Sequence, residues 1–141
     1  INSNDDEEIA IKKIENDKFV KQQCCTDLGK DVRVYIIGNK VVAAVLRTSE
    51  KSFKSNYSLG GNVSLYDLNE TERKYVDTIT QMLPMDFAAI DFIFNNGQAA
   101  FNEIEDAAGA RMLYSISDID IVKMQVEYMM KELKKSCIAK N

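Results

Sequence analysis

The sequence predicts an α+β fold in which helices cover a mainly antiparallel sheet. Two hairpin signals carry this prediction. Residues 31–47 form two runs of Val, Ile and Tyr, which favour strands, and the runs meet at Gly38-Asn39. Two further strand-like runs, 85–94 and 98–105, meet at Asn96-Gly97, a residue pair typical of tight hairpin turns. Apolar residues at helical spacing outside these hairpins supply the covering layer.

The first sixty residues predict three elements besides the first hairpin. Three isoleucines spaced among charges predict a helix over 5–16, and the alternating run 19–25 predicts a strand. The polar segment 48–61 ends in Gly60-Gly61 and is expected to form a mobile loop that closes over a ligand. A short strand is predicted over 62–66.

Two further helices are predicted from capping residues and apolar spacing. Asn69 and Glu72 have the spacing of a capping box, and the helix that they start should end at Pro84. The side chains expected to face the sheet are Val76, Ile79, Met82 and Leu83. After an irregular stretch over 106–115, Ser117 and Asp118 are expected to cap a closing helix. Its packing side is predicted to hold Ile121, Met124, Tyr128 and Met129.

Composition limits the functional classes. The chain has 141 residues, 45% of them hydrophobic, which fits one domain. A formal net charge of -4 and the lack of a Lys/Arg-rich run argue against nucleic-acid partners. The sequence has no apolar run of the ~20 residues that a membrane helix needs, so we expect no membrane partner and a cytoplasmic location. The acidic opening after Ile1 predicts that the chain is part of a larger protein.

Histidine and cysteine usage narrows the chemistry. The chain contains no histidine, which excludes Ser-His-Asp and Cys-His hydrolases within it. Its three cysteines, Cys24, Cys25 and Cys137, form no disulfide framework and make a poor zinc set. Carboxylates, lysines and arginines are therefore expected to carry any chemistry.

Three carboxylates stand in apolar surroundings. Asp91 interrupts an apolar strand, and Glu103 and Glu105 share one face of the next strand. They are either hard oxygen ligands for Mg²⁺ or an exposed acidic edge, and the spacing leaves both interpretations open. The three carboxylates converge only if Asp91 lies opposite Glu103. That register requires a three-residue loop over 96–98 or an equivalent bulge.

Basic residues close to this face have two interpretations as well. Arg33 and Arg47 could bind phosphate or carboxylate through paired hydrogen bonds, or be rim arginines paired with acids. The loop residues Lys54, Ser55 and Asn56 could present donors to a phosphate, or form an ordinary turn.

The order of these pieces is more specific than any one of them. The segments FVKQQ, GKDVRVYIIGNKVVAAVLR, FKSNYSLGG, MDFAAIDFIF and FNEIED together resemble the C-terminal lobe of RimK-like (ribosomal-protein glutamate ligase-like) ATP-grasp ligases. The resemblance runs from about Phe19 to the closing helix. It implies that residues 1–141 are a single partial domain, the C-terminal part of an ATP-grasp fold whose N-terminal lobe is absent.

The resemblance also implies roles for single residues. Arg33 and Arg47 match catalytic arginines that face the phosphates and the acyl-phosphate. The positions that match nucleotide contacts are Gln22, Gln23, Cys24, Asp31, Lys54, Ser55 and Asn56. Asp91, Glu103 and Glu105 match the magnesium ligands, which Mn²⁺ could also use. Three features depart from the family pattern: Glu105 stands where asparagine is common, Gln23 and Cys24 replace an acid and an aromatic residue, and Lys54 replaces arginine.

The implied activity is ATP- and Mg²⁺-dependent ligation of a carboxylate to an amine through an acyl-phosphate. The implied partners are ATP and a small amino-acid, peptide or protein substrate. Two alternatives remain open: a non-catalytic nucleotide-binding or interaction module with the same fold, and another ATP-grasp ligase such as a D-alanine ligase or peptide-tag ligase. We expect the isolated chain to fold, to form homodimers and to lack turnover.

Overall fold

The described part of the chain folds around a five-stranded antiparallel sheet. The computed structural model describes residues 12, 23–49, 61–106 and 108–138. The strands are β1 (Lys30–Ile37), β2 (Lys40–Thr48), β3 (Asn62–Leu65), β4 (Phe87–Asn95) and β5 (Gln98–Asp106). They are ordered β3-β2-β1-β4-β5. The helices of the described residues are α1 (Glu70–Met82), α2 (Arg111–Ile116) and α3 (Ile121–Ile138). The predicted α+β fold with a mainly antiparallel sheet is confirmed.

The first hairpin forms where the sequence predicted it. Ile37 pairs with Lys40, so Gly38 and Asn39 make a two-residue turn. Both have positive φ, 56° and 62°, the left-handed backbone that this turn requires and that Gly and Asn adopt most readily. Val42 is an extra residue in the β1–β2 register, so β2 carries a bulge close to the turn.

The α1 helix starts with the predicted capping box. The Asn69 side chain accepts a hydrogen bond from the Glu72 backbone N–H, and the Glu72 carboxylate accepts one from the Asn69 N–H. The helix ends at Met82, before Pro84. The predicted packing side is right for Val76 and Ile79. It is wrong for Met82 and Leu83, which are exposed because Met82 is the last helical residue and Leu83, the C-cap, no longer has helical backbone.

Side chains that alternate along the central strands form two separate layers. The layer that packs with α1 is apolar and joins residues of β1, β2 and β4 to the helix. Its buried members are Val32, Val34, Ile36, Ala44, Leu68, Val76, Ile90, Phe92 and Phe94. We call this side of the sheet the apolar face.

The opposite side holds a second apolar cluster near α2 and a group of charged residues, and we call it the polar face. Met112 and Leu113 of α2 are buried there against Tyr35 and Val45. The prediction of an irregular stretch over 106–115 is therefore wrong for its second half. Burial of these two side chains favours a helical turn that has no side-chain cap to mark it in the sequence.

The closing helix, α3, is present, but its predicted start is wrong. Asp120, rather than Ser117 or Asp118, accepts the hydrogen bond from the Lys123 backbone N–H. The Ser117 hydroxyl instead donates to the Leu113 carbonyl at the end of α2.

The packing side of α3 was only partly predicted. Ile121 is buried and Tyr128 is half-buried, whereas Met124 and Met129 are exposed, because the helix contacts the body through a narrow side. The Tyr128 ring lies so close to Gly38 that an added Cβ there would approach it to 2.4 Å.

Some predictions concern other parts of the chain. The predicted helix over 5–16, Lys12 apart, and the central part of the predicted loop, residues 50–60, lie outside the described residues. Of the predicted strand over 19–25, only Gln23, Cys24 and Cys25 are described, and they form no strand. In the described segments no helix is long and apolar enough to cross a membrane.

Candidate nucleotide and metal site

The β4–β5 hairpin places carboxylates opposite each other by combining a tight turn with a bulge. Asn96 and Gly97 form a two-residue turn with positive φ, which by itself would pair Asp91 with Asn102. The register instead shifts at Asn102, so that Asp91 lies opposite Glu103. The prediction that the two carboxylates are paired through a bulge is confirmed. Ala89 pairs with Glu105, so all three acidic positions lie on the polar face.

Asp91 is the centre of the charged group. Its exposure is only 2%, and β1 brings Arg33 directly opposite it in the ladder. Arg33 donates from Nε to Oδ1 at 2.9 Å and from Nη2 to Oδ2 at 2.7 Å. This two-bond arrangement is the strong, orientation-specific form of an arginine–carboxylate pair. Asp91 is thus fixed in the middle of the sheet.

Arg47 joins a second carboxylate to the same centre. It donates from Nη2 to Asp91 Oδ2 at 2.8 Å and from Nε to Asp31 Oδ1. On the other side, Arg33 Nη2 also forms an ion pair with Glu105. The five residues Asp31, Arg47, Asp91, Arg33 and Glu105 alternate in charge across four strands, and we call them the ionic chain.

The two arginines are buried members of the polar face rather than rim residues. Arg33 is 8% and Arg47 6% exposed, so the interpretation as rim arginines is wrong, although both do pair with acids. Burial alone would lower the pKa of Arg33, but its hydrogen bond to Asp91 and the nearby charges of Asp91 and Glu105 raise that pKa above its ordinary value. The pKa of Arg47 is raised in the same way by Asp31 and Asp91. Both guanidiniums stay charged.

Tyr35 belongs to the apolar cluster of the polar face. Its side chain is buried two positions from Arg33, and its hydroxyl donates to the Gly109 carbonyl at 3.0 Å. Burial raises the pKa of Tyr35, an effect that the positive charges of Arg33 and Arg47 partly oppose. Sequence reasoning missed this contact, because a strand tyrosine carries no signal of its partner.

The three predicted metal ligands share a face but do not form a cluster. No group of three or more Asp, Glu or Cys side chains in the described ranges is close enough to hold a metal ion. Both Asp91 oxygens accept hydrogen bonds from arginine, and Glu105 contacts Arg33, whereas Glu103 is exposed. The three carboxylates share one face of the sheet, but their arrangement in this structure does not form a metal-binding group.

The segment before β1 is attached to the turn of the carboxylate hairpin. The Thr26 N–H donates to the Asn95 side chain at 3.0 Å, and the Thr26 hydroxyl accepts from the Asn96 N–H at 2.6 Å. Asp27 accepts from the Gly97 N–H at 3.1 Å, and this hydrogen bond is the main reason why the pKa of Asp27 is lowered. These contacts, which the sequence did not reveal, fix the chain just after Cys24.

The predicted nucleotide contacts are only partly described. Asp31 lies in the ionic chain. Gln23 and Cys24 are exposed, next to the attached segment. Gln22, Lys54, Ser55 and Asn56 lie outside the described residues.

The sheet and its helices are those of an ATP-grasp protein. A Chryseobacterium gregarium RiPP-associated ATP-grasp ligase, in complex with ADP and a leader and core peptide, matches with a TM-score of 0.59 at 17% identity, over 75% of this chain and 34% of that one. The D-alanine–D-alanine ligase from Bacillus anthracis, complexed with ATP, matches with a TM-score of 0.56 at 13% identity, over 95% of this chain and 49% of that one. These likenesses show the fold.

Sequence similarity places the chain within this class. The chain belongs to the family described as the RimK-like ATP-grasp domain, whose model matches residues 2–129. The resemblance found in the sequence is therefore confirmed.

Two relatives are probable ligases. A probable alpha-L-glutamate ligase 2 from Hahella chejuensis is 28% identical over 125 residues, which are 88% of this chain and 41% of that protein. A probable alpha-L-glutamate ligase from Histophilus somni (strain 2336) is 31% identical over 108 residues, 76% of this chain and 36% of that protein. The chain thus spans about two fifths of the length of these relatives.

Proposed function

We propose that this chain is the metal- and phosphate-binding half of an ATP- and Mg²⁺-dependent ligase that joins a carboxylate to an amine. The observation that carries the proposal is the convergence of two buried arginines on Asp91, with Glu103 directly across the ladder. Ligation of this type needs positive charge for the phosphates and hard oxygen ligands for a metal. The relatives' names support the same class, glutamate ligase.

The reaction has two steps in this proposal. A substrate carboxylate oxygen attacks the γ-phosphorus of ATP, and ADP leaves, which forms an acyl-phosphate. The nitrogen of the amine then attacks the acyl carbon, phosphate leaves, and the nitrogen loses a proton to give the amide. No side chain of the chain forms a covalent intermediate, so the lack of histidine is no obstacle. The substrates are an amino acid and an amino-acid, peptide or protein acceptor.

Arg33 and Arg47 would stabilise the negative charge of the transferring phosphoryl group. Their guanidiniums are held by the sheet rather than by flexible loops, so little reorganisation is needed when charge develops. Because their pKa values are raised, neither can serve as a proton donor, and their role is electrostatic. Asp31 would orient Arg47 through the Nε bond.

Asp91, Glu103 and Glu105 would hold Mg²⁺. When bound, the metal neutralises phosphate oxygens and orients them for transfer. Glu105, which stands where the family commonly has asparagine, brings an additional negative charge, and its contact with Arg33 balances that charge. The departure from the family pattern is therefore compatible with the site.

The nucleotide would lie beside the segment before β1. Gln22, Gln23 and Cys24 would line the adenine and ribose pocket, and Lys54, Ser55 and Asn56 would contact the nucleotide from the loop. Because the chain is about two fifths of its relatives, we propose that it is a partial domain, the C-terminal lobe. Half of a two-lobed clamp should bind nucleotide weakly and show no turnover.

Weak binding can be mapped by amide NMR of the 141-residue chain during titration with Mg·ADP. The expected shifts lie at Asp31, Arg47 and Glu103, while amides of α1 on the other face stay in place. Shifts confined to α1, or none at millimolar nucleotide, would contradict the placement. Steady ADP release by the purified chain, abolished by Glu103→Ala, would contradict the partial-domain proposal but not the site.

A further inference from the structure

The second hairpin has one buried strand and one open strand. Six of the nine residues of β4 are buried, whereas none of the nine residues of β5 is. Among the described residues β5 pairs with β4 alone, and it stands at the edge of the sheet. The backbone N–H and C=O groups on its outer side therefore have no ladder partner in that part of the chain, and an extended peptide could add to them as a further strand.

An apolar groove lies beside this edge, between β5 and α1. It has a volume of about 500 Å³. Phe101 and Tyr75 both line it, and their side chains are 53% and 45% exposed. Exposed aromatic rings next to open strand backbone form a contact site for an apolar side chain. We call this groove the edge groove, and its lining residues are Tyr75, Thr78, Ile79, Ala99, Ala100 and Phe101.

The edge groove is held in shape by buried neighbours. The Tyr75 ring stacks on the fully buried Phe92, with the ring centroids 6.4 Å apart. Ile79 and Ala99 pack against the core of the apolar face. Because these side chains are already ordered, a ligand would enter a preformed site, and little affinity would be lost to ordering.

The half of β5 that follows this groove is acidic. Its charged residues are Glu103, Glu105 and Asp106, and the whole strand contains no Lys or Arg. The bulge at Asn102 separates this half from Gln98–Phe101, so we expect a new strand to pair mainly along Gln98–Phe101. Beyond the bulge the carboxylates would act on the partner through charge, which favours a basic partner.

The same charges argue against a second copy of this chain as the occupant. Antiparallel pairing along the whole of β5 would centre on Asn102. The two Glu103 side chains would then be diagonal neighbours about 7–8 Å apart. Such pairing brings like charges together, whereas Lys or Arg side chains of another protein would be attracted.

We propose that the edge of β5 and the edge groove bind an extended basic peptide of a partner protein by strand addition. Backbone hydrogen bonds to β5 supply affinity, and an apolar side chain between Tyr75 and Phe101 fixes the register. Basic side chains of the peptide face the acidic half of β5. The inference goes beyond the proposed function, because the groove packs on the apolar face and its evidence includes no nucleotide contact.

Binding is tested with a short fluorescein-labelled peptide in which lysine and valine alternate. It is titrated into the 141-residue chain and followed by fluorescence anisotropy. Phe101→Ala should weaken binding about tenfold, a usual size for a contact at the centre of an interface. Leu65→Ala is the matched control, because Leu65 is also 53% exposed but lies on β3, at the opposite edge of the sheet. Its affinity should stay within about twofold of the wild type, since the two sites share no contacts.

Two further peptides separate backbone pairing from charge. In the first, the backbone nitrogens are methylated, which removes the N–H donors and keeps the side chains. Its binding should be lost, because strand addition depends on backbone hydrogen bonds. In the second, glutamate replaces lysine, and binding should weaken about tenfold because the acidic half of β5 then repels the peptide.

Amide NMR locates the bound peptide. Shifts are expected along Gln98–Phe101 and at Tyr75 and Thr78, and none at Arg33 or Arg47 on the polar face. That pattern, together with weaker binding by Phe101→Ala alone, supports the proposal. Shifts confined to the polar face would overturn it.

The other outcomes also decide the proposal. Equal affinity of the wild type and Phe101→Ala, undiminished binding of the methylated peptide, or no binding at millimolar peptide would overturn strand addition. Equal affinity for the glutamate peptide would overturn the basic partner. Concentration-dependent shifts of the β5 amides without peptide would overturn it by assigning the edge to a second copy. Each of these results leaves the titration with Mg·ADP unchanged, so failure here is distinguishable from failure of the proposed function.

Discussion

The two faces of this sheet are built from neighbouring residues, but they hold their side chains in place by different interactions. Asp91 and Phe92 are adjacent in β4 and equally buried, at 2% and 1% exposure, but they point to opposite sides. On the apolar face Phe92 is held by packing with α1, where Tyr75 stacks on its ring. On the polar face Asp91 is held by two charged hydrogen-bond partners. One face is optimised for packing, and the other keeps charges in place.

The largest expected effect is on the apolar face. Phe92→Ala removes a fully buried ring and leaves a cavity under α1, which should lower the free energy of unfolding by about 3–5 kcal/mol. Urea denaturation followed by circular dichroism measures it. Phe101→Ala is the matched control, because Phe101 is the cross-strand partner of Phe92 and is 53% exposed. Equal losses in the two variants would mean that Phe92 is not part of a packed layer.

A comparable but smaller loss is expected on the polar face. Asp91→Asn leaves two buried guanidiniums without their shared carboxylate, which should lower the free energy of unfolding by about 3 kcal/mol. Asp77→Asn, on the exposed side of α1, controls for the loss of one negative charge. The loss should arise from repulsion between the arginines, so it should diminish when Arg47→Gln is added. An unchanged loss in that double variant would show that the repulsion is not its source.

Removing the whole buried charge group sharpens the comparison. In the triple variant Asp91→Leu, Arg33→Met and Arg47→Leu, none of these three buried side chains carries a charge. The stability should return to within about 1 kcal/mol of the wild type or exceed it, because buried ion pairs are often no more stabilising than apolar replacements. Recovery would show that this face keeps its charges for binding. A triple variant less stable than Asp91→Asn would instead assign the ionic chain a structural role.

The same contrast explains how much the sequence could predict. The hairpins were predictable because Gly38-Asn39 and Asn96-Gly97 meet a backbone requirement that few residue pairs satisfy. For Asp91 and Glu103, the sequence showed only that the carboxylates converge if these two residues pair. Whether they pair depends on the position of a bulge, which is set by the packing of both faces. The α2 helix was missed for the same reason, since burial of Met112 and Leu113, rather than a cap, forms it.

The candidate site was predictable in its residue types and not in its contacts. Arginine and carboxylate at alternating strand positions already indicated a charged face. Which arginine holds which acid depends on the register across β2, β1 and β4, which the sequence does not specify. That Arg47 bridges Asp31 and Asp91 could be recognised only in three dimensions.

The smallest expected effect compares one tyrosine from each face. Tyr66 packs against the apolar cluster and donates to the buried Glu72 carboxylate, and Tyr35 donates to the neutral Gly109 carbonyl, both at 3.0 Å. Each Tyr→Phe change should cost about 1 kcal/mol, with the larger loss at Tyr66 because its acceptor is charged. Burial, followed by the Glu72 hydrogen bond and charge, raises the pKa of Tyr66 to about 12. Because the folded pKa lies above the unfolded value of about 10, this contribution is complete below pH 10 and is lost as the pH rises through 12. Denaturation at pH 8 and at pH 11.5 should therefore show the wild type and Tyr66→Phe becoming more alike at the higher pH. A gap that stays constant would indicate that the hydrogen bond to Glu72 is not what Tyr66 contributes.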